Sequence, residues 1–299
     1  MNSQILPLHR DTEVLMPSPE RAGRRIGELL VEAGLLTPEN AQRILDYQRK
    51  SGLMFGETGV EMGLLTDEDV RHGLAMQFGH PVRPEDSGLS IEVAAAWEPD
   101  SSAVEHLRML RSQLMLRWFE NDARHAALAV VSPGEGEGRS YIAANLAVLF
   151  AQLGKRTLLI DADLRRPRQH RIFGLPGRTG LSAILAGRVG HEVVSEIAAV
   201  PGLSVLCAGA VPPNPQELLA RSGFQKLIST LRASYEVILV DTPAASTCAD
   251  AGMVAARAGA ALLVACQDRS SVPRVAGLAD DLRQFGVTVV GAVLNGAGR

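Results

Sequence analysis

The chain has 299 residues, 46% of them hydrophobic and 21% charged, which is enough for two domains with sizeable cores. Its 30 basic and 33 acidic residues leave a net charge of −3 and no global electrostatic reason to expect nucleic acid, and the apolar runs near 142–153 and 258–266 are too short to span a bilayer. Cys207, Cys248 and Cys266 are scattered in or near apolar stretches without a CxxC pair, and no basic-then-apolar signal opens the chain, so they read as core residues of a cytoplasmic protein.

Residues 1–20 carry polar residues and three prolines, Pro7, Pro17 and Pro19, and show no sustained period, which suits a loose lead-in. A repeat follows within 21–80. Aligning Arg25–Gln48 on Met54–Gln77 matches eleven of 24 positions, among them Gly27/Gly56, Gly34/Gly63, the Leu-Leu-Thr triplets ending at Thr37 and Thr66, and Gln48/Gln77. Self-similarity at a fixed offset implies two copies of one unit, each too small to bury its apolar face alone. Each copy predicts a short helix, a glycine stop and a second helix capped by Thr37 or Thr66, with Pro38 at the tolerated first turn.

The repeat resembles the MshE-N domain found on type II secretion and pilus ATPases. Arg25, Gly27, Leu30, Gly34, Leu45 and Gln48 match its motif in the first copy, whereas Met54 and Gly59 depart from it in the second. The resemblance implies either cyclic di-GMP binding, with Arg25 and Gly27 as contacts, or docking of a secretion component. Proline, glycine and acidic residues then mark 81–102 as a linker to a second domain over 103–299.

That domain opens on a helix from Glu105 through Trp118. Glu105, Arg108 and Arg111 recur every three residues along one stripe, which by itself is a solvated charged face, while Leu107, Leu110 and Leu114 form the apolar side. The apolar run Ala126–Val131 has the length of a buried parallel strand. Pro133-Gly134-Glu135-Gly136-Glu137-Gly138 breaks it, and an apolar-periodic helix starts near Ser140. Strand, glycine loop and helix form a phosphate cradle, because successive N–H groups turn into one concavity at a helix N-terminus. The usual lysine of such a loop is Arg139 here, and Pro133 stands where its first glycine belongs. Only three of the basic residues are lysines, so the chain favours arginine, yet a planar guanidinium does not reproduce a compact ammonium.

Further buried strands are expected at Thr157–Asp161, Leu203–Cys207, from Tyr235 to Asp241, at Ala260–Cys266 and at Val287–Leu294, with helical stretches between them. This alternation predicts an α/β fold with a mostly parallel, doubly wound sheet, whose ligands bind at the carboxyl ends of the strands. Asp161, Asp163 and Asp241 then share an edge with the glycine loop. One strand-end acid alone is commonly a helix cap. Three beside a phosphate cradle suit Mg²⁺, which takes one or two carboxylates and a hydroxyl beside phosphate oxygens. Phosphoryl transfer also needs a group that orients the attacking oxygen, and Asp161 or Asp163 is the candidate.

Taken together, Gly-Glu-Gly-Arg-Ser, the run Leu158 to His170, Pro212 to Leu219 and Val240-Asp241-Thr242-Pro243 are similar to the bacterial tyrosine kinases of capsule and exopolysaccharide loci, most of all their EpsG-type chain-length-determinant members. The resemblance spans about Glu105 to Asn295 and implies a P-loop NTPase of the ParA/MinD-like branch that binds ATP and Mg²⁺. It assigns Gly134 to Ser140, with the following Tyr141, to the phosphate loop and Asp161 and Asp163 to a paired acidic motif. Ser140, Asp161 and Asp241 fall to the metal, Asn295 to the base, and Glu105, Arg108 and Arg111 to a contact joining subunits into an ATP-dependent ring. It further implies a membrane chain-length-determinant partner, a polysaccharide co-polymerase, which would place the protein beside the inner membrane. The family's C-terminal tyrosine cluster has no counterpart: Tyr47, Tyr141 and Tyr235 are the only tyrosines. Self-phosphorylation on such a tail is therefore not expected, which leaves phosphorylation of another protein or ATP-driven assembly without kinase activity. A ParA/MinD-like switch and a nucleotide-binding scaffold without kinase activity are the alternatives.

Overall fold

The computed structural model describes residues 25–67, 69, 70, 73, 87–122 and 125–296. The expected lead-in, the first part of the linker and the end of the second repeat, Leu74 and Gln77 included, lie outside them. The chain divides into two compact units, Met1–Phe78 and Gly79–Arg299.

In the first unit, α1 (Ile26–Glu32), α2 (Pro38–Ser51) and α3 (Phe55–Glu61) surround a small core of Leu30, Leu36, Ile44 and Leu65. The 29-residue offset of the repeat is preserved in the hydrogen bonds. The amides of Leu35 and Leu36 both donate to Leu30 O, and those of Leu64 and Leu65 both donate to Gly59 O. Thr37 accepts from the Asn40 amide at 3.2 Å and Thr66 from the Asp69 amide at 3.1 Å, so both expected caps form. A side chain at position 27 would strike the Phe55 ring at 2.8 Å, which ties the motif glycine of the first copy to the second.

The second unit is a seven-stranded sheet: β1 (Ala127–Val131), β2 (Thr157–Asp161), β3 (Ser195–Glu196), β4 (Leu203–Leu206), β5 (Val237–Asp241), β6 (Ala260–Cys266) and β7 (Thr288–Asn295). Their spatial order is β3-β4-β2-β5-β1-β6-β7, all parallel except the β3–β4 pair. Alternate strand residues feed two cores. Leu128 and Val130 point to one face, while Ala127, Ala129 and Val131 point to the other, which is why the strands are unbroken apolar runs.

On the first face lie α4 (Ala94–Trp97), α5 (Ser102–Leu114) and α6 (Arg139–Gln152). The second face is covered by α8 (Leu181–Leu185), α9 (Pro215–Ala220), α10 (Ser222–Leu231), α11 (Asp250–Ala258) and α12 (Val272–Gln284), and the short α7 (Gln169–Ile172) follows β2. Helix α6 is buried from Ile142 to Ala151, apolar there but for Asn145, as befits the central helix of such a sheet.

Two expectations change. The helix expected through Trp118 is α-helical only to Leu114, and Met115–Phe119 continues as a π-turn that buries Met115 and Trp118. The segment from Ser87 to Trp97, expected as linker, packs into the α/β unit. Leu89, Val93 and Ala95 are buried, the Ala95 amide donates to Asn145 Oδ1 at 2.8 Å, and Asn145 Nδ2 donates to Glu92 O at 2.9 Å. Its apolar residues outweigh the turn-forming character of the prolines and glycine just before it.

Candidate active site

Strand order assembles the site. Because β5 lies between β1 and β2, Asp241 at the end of β5 pairs in register with Val130 on one side and with Asp161 on the other. The glycine loop after β1 and the acids after β2 and β5 thus meet over three adjacent strands. They surround a cavity of about 430 Å³ lined by Glu135, Gly136, Gly138, Arg139, Ser140, Asp163, Arg165, Arg166 and Arg168, with Pro243, Ala244 and Thr247 beyond. Arg165, Arg166 and Arg168 lie along this cavity and are held there by carboxylates, Arg165 by Asp250 and Arg168 by Glu92 at 2.9 Å and Arg166 by Glu135 at 2.6 Å. Three guanidiniums fixed along one cavity suit it to an anion.

The loop is braced from behind. Gly138 caps α6 with φ of 95°, and a side chain there would collide with Asn295 Nδ2, so only glycine closes this turn. Asn295, expected at a base, donates its side-chain amide to Glu137 O at 3.1 Å and lines a neighbouring cavity of about 610 Å³ with Tyr141 and His106. Tyr141 is half-buried there, outside the phosphate cavity, and burial raises its hydroxyl above the usual range. Arg269 Nη1 donates to Gly136 O at 3.2 Å. Glu137 is 3% exposed, and its carboxylate accepts from the Gly134 amide at 2.6 Å and from Ser270 Oγ at 2.5 Å. Its side chain therefore shapes the loop from inside, and only its backbone belongs to the cradle.

Arg139 is 9% exposed and is likewise turned into the protein. Its Nε donates to Thr242 O at 3.0 Å, and its Nη1 donates to Gly134 O at 2.7 Å and to Ser132 Oγ. The guanidinium thus clamps the loop to the end of β5 using a fork of donors that a lysine does not have.

The three aspartates differ. Asp161 is fully buried, and both its oxygens are committed: Oδ1 accepts from the Asp163 amide at 3.2 Å, and Oδ2 from the amides of Arg168 and Gln169, each at 3.0 Å. It acts as a cap for the turn into α7. Burial, and after it the Asp241 charge, pushes its carboxyl well above the ordinary range. Asp163 borders the cavity, and its Oδ1 accepts from the amides of Arg165 and Arg166. Asp241 is fully buried and also raised by burial, against the pull of the Gln169 amide and the Ser140 hydroxyl. Its Oδ2 accepts from Gln169 Nε2 at 2.7 Å, while its Oδ1 is buried without a hydrogen-bond partner.

That unpartnered oxygen, beside the Ser140 hydroxyl, fits a hydrated divalent cation. A hard cation with phosphate ligands needs only such a pair from the protein. Sequence reasoning missed Ser132, whose partners Gly134 and Arg139 lie within the loop itself, and Thr242, Gln169, Arg269 and Ser270, whose partners are remote in the chain. Their only signal was polarity in the segments that follow strands.

The subunit stripe divides. Arg108 Nη1 pairs with Glu105 at 3.1 Å, and both are accessible. Arg111 turns inward and donates to Leu149 O at 3.2 Å, and burial lowers the pKa of its guanidinium.

Residues 128–295 match the family model described as the CobQ/CobB/MinD/ParA nucleotide binding domain. The chain is 39% identical over 197 residues to a Ralstonia solanacearum protein named as the tyrosine-protein kinase EpsB; the match covers 66% of this chain and 26% of that one. The chain thus spans about a quarter of that relative's length. It is 36% identical over 198 residues to a Staphylococcus aureus protein named as the tyrosine-protein kinase CapB, covering 66% of this chain and 86% of that one. Among solved structures, the kinase domain of Escherichia coli tyrosine kinase ETK superimposes with a TM-score of 0.65 at 34% identity, covering 68% of this chain and 79% of that one.

Proposed function

The chain belongs to the bacterial tyrosine-kinase branch of the CobQ/CobB/MinD/ParA nucleotide-binding family, and from that premise we propose that it binds Mg-ATP in the arginine-lined cavity and transfers the terminal phosphoryl group to a protein tyrosine. The reading rests on one observation above all: Asp163, Arg165, Arg166 and Arg168 line the same cavity as the glycine loop and Ser140, whose hydroxyl reaches toward the buried Asp241. Backbone amides from Glu135 to Ser140 cradle the phosphates, the Gly134 amide being held by the Glu137 carboxylate, and Arg165 and Arg166 lie at the rim. Ser140 and Asp241 would hold Mg²⁺, which when bound neutralises charge on the phosphate oxygens. Asp163, which borders the cavity, orients the tyrosyl hydroxyl and takes its proton as the tyrosyl oxygen bonds to the terminal phosphorus and the bond to ADP breaks. Asp161, fully occupied by backbone amides, positions Asp163 and α7.

In the cell the protein regulates polymerisation and export of an exopolysaccharide or capsule, peripheral to the inner membrane through a chain-length-determinant partner. Glu105 and Arg108 join copies into a ring when ATP is bound. The N-terminal unit senses cyclic di-GMP; this reading is favoured by Arg25, Gly27, Leu45 and Gln48 lining one cavity of about 700 Å³.

The full chain, incubated with Mg-ATP and the cytoplasmic tail of the partner, should place phosphate on a tyrosine of that tail, read by mass spectrometry. Asp163→Asn should slow the transfer by about 10² or more. Phosphate release without phosphotyrosine would replace the kinase by a ParA/MinD-like switch, and tight ATP binding with neither would leave a scaffold.

A further inference from the structure

We infer that Gln169 is a positioning residue that fixes which oxygen of Asp241 is presented to the metal, and so sets the Mg²⁺ requirement of nucleotide binding. Gln169 is fully buried. Its Nε2 donates to Asp241 Oδ2 at 2.7 Å and to Ser140 O at 3.2 Å, and its backbone amide donates to Asp161 Oδ2 at 3.0 Å. One residue thereby ties together three places from which the site is built, its side chain holding the first turn of α6 and the end of β5 and its backbone amide the end of β2.

The consequence follows from the geometry of a carboxylate. With Oδ2 held by an amide donor, Asp241 cannot swing about its side-chain torsion, and Oδ1 is left as its one uncommitted acceptor. Gln169 Oε1 is also buried without a partner. Two unpartnered acceptors in one bonded group cost free energy until donors reach them, and the waters of a hydrated cation are such donors. Partners that orient a metal ligand typically change metal affinity about 10–100-fold when removed. The contact to Ser140 O adds a second effect, since it fixes the turn whose hydroxyl faces the same metal.

The inference rests on the site binding a magnesium nucleotide, and its test separates the two. Binding of a fluorescent ATP analogue to the full chain is measured by anisotropy, first in EDTA and then across a Mg²⁺ titration, with the melting temperature as a control on folding. Gln169→Met fills the volume without a donor; Gln169→Glu keeps the shape but sets a carboxylate against Asp241. Both should raise the Mg²⁺ concentration at half-saturation by about tenfold or more, with binding in EDTA within twofold of the unsubstituted chain. An unchanged Mg²⁺ midpoint in both variants overturns the role of Gln169 and leaves the nucleotide reading standing. An equal loss with and without Mg²⁺ would make Gln169 a structural residue only. Failure of the unsubstituted chain to bind the analogue with Mg²⁺ overturns the nucleotide reading and this inference with it.

Discussion

Asp241 shows how the site trades stability for a ligand. Burial raises its carboxyl, so the folded state prefers the protonated form more strongly than the unfolded state does. The contribution to stability is complete below the ordinary carboxylate range and is lost as pH rises through the raised value. Asn at this position keeps the acceptor for Gln169 and removes the buried charge. Asp241→Asn should therefore stabilise the nucleotide-free protein at neutral pH by on the order of 1 kcal/mol, about 2–4 °C in Tm for a domain of this size. The gain should shrink toward zero as pH falls below the ordinary carboxylate range, and Mg²⁺-dependent nucleotide binding should disappear. Thermal scans across pH check this; a variant less stable than its parent at pH 7.5 would show that the charge is compensated in the fold. Neither Glu137 nor Gln169 announces its role in the sequence. Their side chains meet Ser270 and Asp241 across 133 and 72 residues, and no local pattern reports such distances. Asp241 was legible because it ends an apolar run, where strand-end geometry is predictable from the sequence itself.

Helix α5 shows why a motif of three residues does not act as a unit. A repeat of three drifts around a helix with 3.6 residues per turn. Glu105 and Arg108 consequently stay at the surface, while Arg111 reaches the α6 backbone at Leu149 O and Val104, Leu107 and Leu114 enter the core. Arg111→Ala removes a hydrogen bond to a carbonyl and the packing of the stem, and should destabilise the fold by about 1–2 kcal/mol. Glu105→Ala with Arg108→Ala removes only an accessible ion pair of about 0–1 kcal/mol, so Tm should barely move. The double variant should nevertheless lower the oligomer mass in Mg-ATP, read by light scattering. An unchanged mass would remove this pair from the subunit contact, and an unchanged Tm for Arg111→Ala would make its inward bond inconsequential. At this scale most of the sheet was readable, because β1, β2, β5 and β6 are buried on both faces and so leave runs of apolar residues. Strand β3 was not, since two residues in an antiparallel edge pair, Ser195 half-buried and Glu196 exposed, leave no period to detect.

At the scale of the whole molecule, each unit has a core of its own: Leu30, Leu36, Ile44 and Leu65 in the first, and two large clusters on either face of the sheet in the second. Cores that share no residues melt independently unless something couples them, and a ligand stabilises only the unit it binds, by mass action on the folded state. Scanning calorimetry of the full chain should therefore show two transitions. Mg-ATP at about 100 times its Kd should add about 2.7 kcal/mol to the larger one and raise its temperature. Cyclic di-GMP should raise the smaller transition alone, and Arg25→Ala, at the edge of the cavity that also holds Gly27 and Gln48, should cancel that shift. If cyclic di-GMP at high micromolar concentration moves neither transition, the N-terminal repeat is not a sensor of that nucleotide. If it moves both, the two units are energetically linked, and a signal received by the repeats then acts on the phosphate loop through a shared folding equilibrium.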